Sequence, residues 1–130
     1  MNKTIFYIVI IFLSLQACKT EENPQVQKIT VEEMFNIMET EDVQLIDVRT
    51  PEEYKEGKLK TAQNLCVTHD DFKLKAEQLD KEKPVYLYCK SGGRSAKAAE
   101  ILKEMGFKEI YEMPGGMDEW KQKGLDTDKS

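Results

Sequence analysis

The sequence predicts an open α/β fold, a mainly parallel sheet with helices on both faces. Three observations carry this. Five short apolar, often β-branched stretches alternate with stretches of helical character. Such alternation implies right-handed crossovers between parallel strands. Two helical stretches open on one capping signature, Thr30 with Glu33 and Thr50 with Glu53. The most hydrophobic strand candidate runs directly into a glycine-bearing loop followed by a helix, the place where open α/β sheets put their sites.

The elements follow in order. "VQKIT" is a short strand. A helix then opens at Thr30, with Val31, Met34, Phe35 and Met38 at helical spacing. "VQLIDV" reads as a buried strand. "TPEEY" has Thr50 as N-cap and Pro51 at the first helical position, and Gly57 suits the helix's end. "AQNLCV" reads as the third strand and "DDFKLKAEQL" as a helix with Phe72, Ala76 and Leu79 on one face. "PVYLYC" is the fourth strand. From Ser95 to Met105, Ala98, Ile101, Leu102 and Met105 keep helical spacing, and Gly106 ends the run. "KEIYEM" is the last strand, "PGG" a turn, and "MDEWKQKG" a short amphipathic helix carrying Trp120. The tail at 125–130, "LDTDKS", reads as loose.

A length of 130 residues suits one domain. Hydrophobic residues make up 40% and charged residues 33%, enough for a globular core. The formal charge of -5 gives no basic footprint for nucleic acid, so no nucleic-acid partner is expected. Three cysteines and one histidine stand at 18, 66, 89 and 69 with no paired spacing, which argues against a zinc site.

The first residues stand apart from the fold. Lys3 precedes an apolar run from Ile5 to Leu15, and Ala17 and Cys18 end it. A basic start, about 7–15 apolar residues and a small residue describe a secretory signal, here residues 1–17. A spanning helix needs about 20 apolar residues. "LQAC" resembles the signal of bacterial lipoproteins, in which cleavage precedes a lipidated cysteine. Leu15 and Ala17 fit that pattern, and Gln16 is larger than the residue usual there. The resemblance implies lipidation at Cys18, a tether over 18–27, and a membrane partner through a lipid anchor, facing the periplasm or the cell surface. Ordinary cleavage near Ala17, leaving a free thiol, is the other reading.

The chemistry concentrates in "CKSGGRS", Cys89 to Ser95. Gly92 and Gly93 let the backbone curl without a Cβ clash. A curled loop aims several N–H groups at one centre, and the following helix adds its positive end. Lys90 and Arg94 add cations. Each effect favours thiolate over thiol, so Cys89 reads as a nucleophile that needs no histidine base. A cysteine ending a buried strand is by itself more often a small hydrophobe. The glycines, cations and hydroxyls around this one make a poor core and a good anion site. Cysteine phosphatases place five residues between cysteine and arginine. Here Lys90, Ser91, Gly92 and Gly93 are four, a smaller ring that suits a persulfide.

With "LIDVRTPEEYKEGKL", "AQN", "VYLYCKSGGRSAKAAEILKEMGF" and "MPGGMDEW" in this order, the chain resembles a single-domain rhodanese over about residues 28–124. The resemblance implies a five-stranded sheet and sulfur transfer through a Cys89 persulfide. It implies a small sulfur-containing anion as donor, a thiol or partner protein as acceptor, and no metal or organic cofactor. The chain departs from the family at Gly57-Lys58-Leu59, where Gly-His-Ile is usual.

Around Cys89, the loop residues Lys90, Ser91, Gly92, Gly93 and Arg94 are the candidate substrate-binding group. Lys90 reads as an anion binder or a solvated side chain. Arg94 either touches substrate or braces the loop on Asp47 or Glu53, and bracing is favoured. Ser95 reads as a helix cap more than a donor to sulfur. Asp47 beside Arg49 reads as a structural pair, with Arg49 also a candidate for the donor entrance. Cys66 is a buried strand residue or a resolving thiol, His69 a surface or helix-entry residue, and Trp120 a core residue. Gly115 and Gly116 read as backbone geometry near the pocket.

Two function classes follow. One is an enzyme, a thiosulfate or polysulfide sulfurtransferase. The other is a carrier or thiol-redox module that hands sulfane sulfur to a partner. Arsenate or phosphate-ester chemistry is disfavoured by the loop length.

Overall fold

The computed structural model describes residues 25–129. Five strands and five helices alternate: β1 Val26–Lys28, α1 Val31–Thr40, β2 Gln44–Asp47, α2 Pro51–Glu56, β3 Gln63–Asn64, α3 Phe72–Ala76, β4 Val85–Tyr88, α4 Gly93–Glu104, β5 Ile110–Glu112 and α5 Gly116–Gln122. The strands form one parallel sheet in the order β1-β5-β4-β2-β3. The expected α/β class is therefore the observed one. The expected signal and lipidation site, residues 1–17 and Cys18, lie outside the described residues.

Strand alternation sends side chains to two cores. Ile46, Val48, Val85, Leu87, Cys89 and Ile110 pack with Phe72 and Ala76 of α3 and Ala98, Ala99 and Leu102 of α4. Leu45, Tyr86 and Tyr88 face the other way, onto Val31 and Met34 of α1 and Met117 and Trp120 of α5. Each fully buried large apolar side chain contributes about 1.5–3 kcal/mol, so both faces hold the sheet. Both capping boxes form. Thr30 and Thr50 each accept from the N–H three residues on, and Glu33 and Glu53 reach back to the N-cap N–H.

Three elements differ from expectation, each for a local reason. The third strand is confined to Gln63–Asn64. The Asn64 side-chain amide donates to the carbonyls of Asp47 (3.0 Å) and Arg49 (2.9 Å), alongside the backbone bonds from Leu65 and Val67 to the end of β2. The helix expected over 70–79 narrows to α3. Asp71 supplies no side-chain cap, and Gln78 and Leu79 bond three residues back in tight turns. The tail is not loose. Lys58 and Asp128 exchange two backbone bonds of 2.8 Å, and the Trp120 indole donates to the Asp126 carbonyl at 2.9 Å.

From β4 the chain goes on to β5, on one side, and from β2 to β3, on the other. The crevice at such a switch point opens beyond the carboxyl ends of the two strands. Cys89 stands there.

Candidate functional site

Cys89 follows the last residue of β4 and is 1% exposed. The chain then curls back. Gly92 has φ of +99°, and the Gly92 N–H donates to Cys89 Sγ at 3.0 Å. A Cβ on Gly92 would meet the Pro114 carbonyl oxygen at 2.6 Å. α4 begins at the next residue and directs its positive end at the sulfur.

The start of α5 forms the second wall. Met117 N–H donates to the Cys89 carbonyl at 2.9 Å, and Asp118 N–H to the Lys90 carbonyl at 3.0 Å. These bonds tie the loop's carbonyls outward and leave its N–H groups for the sulfur. Gly116, at φ +60°, makes the approach possible, since a Cβ there would lie 2.5 Å from the Lys90 oxygen and 2.6 Å from that of Cys89. The expected backbone role of this glycine pair is thus concrete at Gly116.

Burial pushes the Cys89 thiol up, because a thiolate is poorly solvated there. The Ser95 hydroxyl and the N–H groups of Ser95, Gly92 and Ser91 outweigh it, and the thiol lies below its ordinary value. Ser95 Oγ lies 3.4 Å from Cys89 Sγ, 3.2 Å from the Gly92 carbonyl and 2.7 Å from Glu112 Oε1. This corrects the capping role expected of Ser95. α4 starts two residues earlier, at Gly93, so Ser95 stands inside the helix and its hydroxyl turns into the core.

Arg94 braces. Its guanidinium holds Glu53 through bonds of 2.7 and 3.0 Å. The Arg94 bonds hold the Glu53 carboxyl down to about 2. Lys90 is exposed, with Nζ 3.8 Å from Asp118 Oδ2, and Ser91 is exposed beside it. Gly93 has open space where a Cβ would go, so its lack of a side chain is not a steric need.

Asp47 and Arg49 form the expected pair, and both are buried. Arg49 is 4% exposed and Asp47 0%. Arg49 donates to both Asp47 oxygens and, at 2.6 Å, to the Gly57 carbonyl. Burial works against the Arg49 charge, and the Asp47 bonds and charge more than offset it, raising the guanidinium's pKa. Nε and Nη2 are thus committed to Asp47 and Gly57, and the side chain is held in the protein interior. Tyr88 completes the network, its hydroxyl donating to Asp47 at 2.8 Å and accepting from Leu59 N–H at 3.0 Å.

Cys66 and Cys89 are both free and buried. They follow β3 and β4, with β2 between. Two strand spacings are about 9–10 Å, beyond the roughly 7 Å reach of a disulfide. Cys66 Sγ instead meets Thr68 Oγ1 at 3.2 Å. His69 is exposed at the turn into α3, and Trp120 is core at 2% exposure. Glu112 was not singled out by the sequence reading. The available signal was a carboxylate between the apolar neighbours Tyr111 and Met113 of a strand.

The fold and loop define a class: an α/β protein with a buried cysteine thiol in an N–H cradle at the switch point of a parallel sheet. Residues 30–123 match the family described as Rhodanese-like domain, and the chain belongs to that family. It is 37% identical over 91 residues to the thiosulfate sulfurtransferase GlpE of Coxiella burnetii, covering 68% of this chain and 81% of that one. The crystal structure of a rhodanese-like domain protein from Staphylococcus aureus is similar, with a TM-score of 0.70, 30% identity and coverage of 80% of this chain and 98% of that one. So is the polysulfide-sulfur transferase homodimer of Wolinella succinogenes, with a TM-score of 0.66, 34% identity and coverage of 81% and 80%.

Proposed function

We propose that the protein is a sulfurtransferase that carries sulfane sulfur on Cys89, from thiosulfate or a polysulfide to a thiol or cyanide. The observation that carries this is the cradle, with the Gly92 N–H 3.0 Å from Cys89 Sγ and the loop carbonyls tied away by α5. Cys89 thiolate attacks the outer sulfur of the donor. A new S–S bond forms, the donor's own bond to that sulfur breaks, and its electron pair leaves with sulfite or a thiolate. The negative charge then rests on the outer sulfur of Cys89–S–S⁻, where fixed N–H dipoles stabilise it without reorganisation. An acceptor thiolate takes that sulfur and Cys89 leaves as thiolate.

Incubation with thiosulfate, followed by intact mass and sulfite release, tests this. The wild type gains one sulfur and Cys89→Ala gains none. A wild type that gains none from thiosulfate or polysulfide defeats the reading.

A second reading, a carrier that hands sulfur to a partner protein instead of turning over small anions, is favoured by one observation. Arg94 is held by Glu53, Arg49 by Asp47, and Lys90 faces Asp118. An open groove of about 570 Å³ beside Ser91 is lined by Asp118 and Glu119 as well as Lys123. A doubly charged donor meets little net positive charge there. Loading with slow turnover on every small acceptor selects this reading.

Export follows from the N-terminal pattern. We propose a lipid anchor on Cys18, with the domain facing the periplasm or cell surface, because the apolar run ends in Leu15-Gln16-Ala17-Cys18. Several acyl chains anchor firmly where one does not. Cys18→Ser releases the protein from the membrane fraction; unchanged association defeats the anchor.

A further inference from the structure

The segment after Cys89 carries two cations, Lys90 and Arg94, and Arg49 follows β2. Arg49 and Arg94 are each held at 2.7 Å by a carboxylate, Asp47 and Glu53. Lys90 is held differently. Its Nζ lies 3.8 Å from Asp118 Oδ2, and the two side chains are 61% and 45% exposed. A pair so exposed is weak, and another ion can contest it. Of these three cations, Lys90 is the one an arriving anion can take.

Asp118 does not move away when that happens. Its N–H donates to the Lys90 carbonyl at 3.0 Å, and the Met117 N–H to the Cys89 carbonyl at 2.9 Å. Residues 117–118 are thus laid against residues 89–90, an approach that Gly116 permits. The Asp118 carboxylate starts from a backbone pinned beside that of Lys90. The same wall carries further negative charge. Asp118 and Glu119 both line the groove beside Ser91, and the Glu119 carboxylate folds over Gly115, in the space a Cβ would take. Lys123, on that wall too, is drawn to Glu32 at 2.6 Å. In contact with water, these side chains carry their ordinary charges at neutral pH.

We propose that Asp118 is a positioning residue that sets which donors the site accepts. It holds Lys90 back from the donor, and so disfavours dianions such as thiosulfate against persulfides whose body is neutral or cationic. This rests on the sulfurtransferase reading of Cys89. A thiosulfate that pairs with Lys90 must win it from Asp118 and then sit beside the carboxylate it displaced. Like charges brought together across a contact oppose binding. A persulfide on a neutral or cationic body has no second negative charge to place, so it pays neither cost. Selection of this kind works by repelling the wrong ligand.

The first test reads charge at Cys89 without any sulfur transfer. The thiol is alkylated with iodoacetate, an anion, and with iodoacetamide, its neutral analogue, each followed by mass on the Cys89 peptide. The ratio of the two rates cancels any change in thiolate fraction. Asp118→Asn raises this ratio about fivefold, and the gain shrinks in about 0.5 M salt. An unchanged ratio overturns the proposal. Asp118→Glu keeps the charge and the wild-type ratio; if it behaves as Asp118→Asn does, the effect is one of packing and the proposal falls. In a Lys90→Met background most of the gain from Asp118→Asn disappears, and an equal gain there overturns the route through Lys90. With cyanide as acceptor, Asp118→Asn raises kcat/KM for thiosulfate about fivefold, the gain falling in KM. Loading from cysteamine persulfide, whose ammonium balances its terminal sulfur, does not gain. Equal gains with both donors overturn the selection. If neither protein takes sulfur from either donor, the sulfurtransferase reading fails, while the alkylation ratios still decide what Asp118 does at Cys89.

Discussion

Arg94 and Glu53 are joined by two side-chain bonds, of 2.7 and 3.0 Å, across 41 residues of sequence. The pair ties the first turn of α4 to the first turn of α2, and so fixes the cradle to the element after β2. A bidentate, charge-assisted pair is worth more than an ordinary surface bridge, although its partial exposure screens it. Glu53→Gln therefore costs about 1–2 kcal/mol, seen as a melting temperature roughly 5–10 °C lower. A melt within experimental scatter of wild type would sink the bracing role.

The same pair sets an acid limit. Glu53 is lowered from 4.5 to about 2 by Arg94. A carboxylate lowered on folding adds stability that is fully present above its unfolded pKa. That part fades as pH falls from about 4.5 through about 2. Denaturant midpoints at about pH 6 and about pH 3 should fall further for wild type than for Glu53→Gln. Equal losses would place the acid sensitivity elsewhere.

Two glycines separate geometry from composition. Gly116→Ala puts a Cβ against the Cys89 and Lys90 carbonyls at positive φ. It should cost about 2–4 kcal/mol and suppress sulfur loading, read by mass. Gly93→Ala meets nothing, and in a helix it should be neutral or stabilise by up to about 1 kcal/mol. Equal effects of the two substitutions would contradict the tied-back loop.

Tyr88→Phe removes a buried hydroxyl that bridges Asp47 and Leu59. Leu59 N–H then loses its partner, a cost of about 1–3 kcal/mol in chemical denaturation. Tyr88 faces the core opposite Cys89, so the turnover of folded protein should be unchanged. A large fall in turnover with intact stability would reassign this network to the chemistry.

The Cys89 thiol, lowered by Ser95 and the loop N–H groups, should be alkylated with a midpoint below the free-cysteine value of about 8.5. Because the shift is downward, the reactive thiolate survives to lower pH than in a free thiol. Ser95→Ala removes a donor and should move the midpoint up. A midpoint at or above that of free cysteine would refute the cradle's electrostatics.

The legible part of this fold was local. Capping boxes at Thr30 and Thr50, strand character in "VYLY" and the glycines after Cys89 are written in neighbouring residues, and each formed as read. Arg94 was legible only as a choice between Asp47 and Glu53, because the partner is set by how α2 and α4 meet. Ser95 was misread as a cap, since the helix start depends on Gly92 reaching positive φ under Pro114. The burial of Arg49 was not legible, as it comes from Gly57 and Tyr88, distant in sequence. Glu112 escaped notice because its meaning lies across the sheet, in the Ser95 hydroxyl.

The short bridge between Lys58 and Asp128 has a practical corollary. It fastens the segment after α5 to the chain between α2 and β3, while the front of α5 grips the Cys89 loop. α5 is thus held at both ends. A cut after Gly124 would remove the clasp at the rear, and the slack would reach the sulfur through a seven-residue helix. Domain boundaries for expression, and the attachment of reporters or tags, belong beyond Asp128 and not at the end of the last helix.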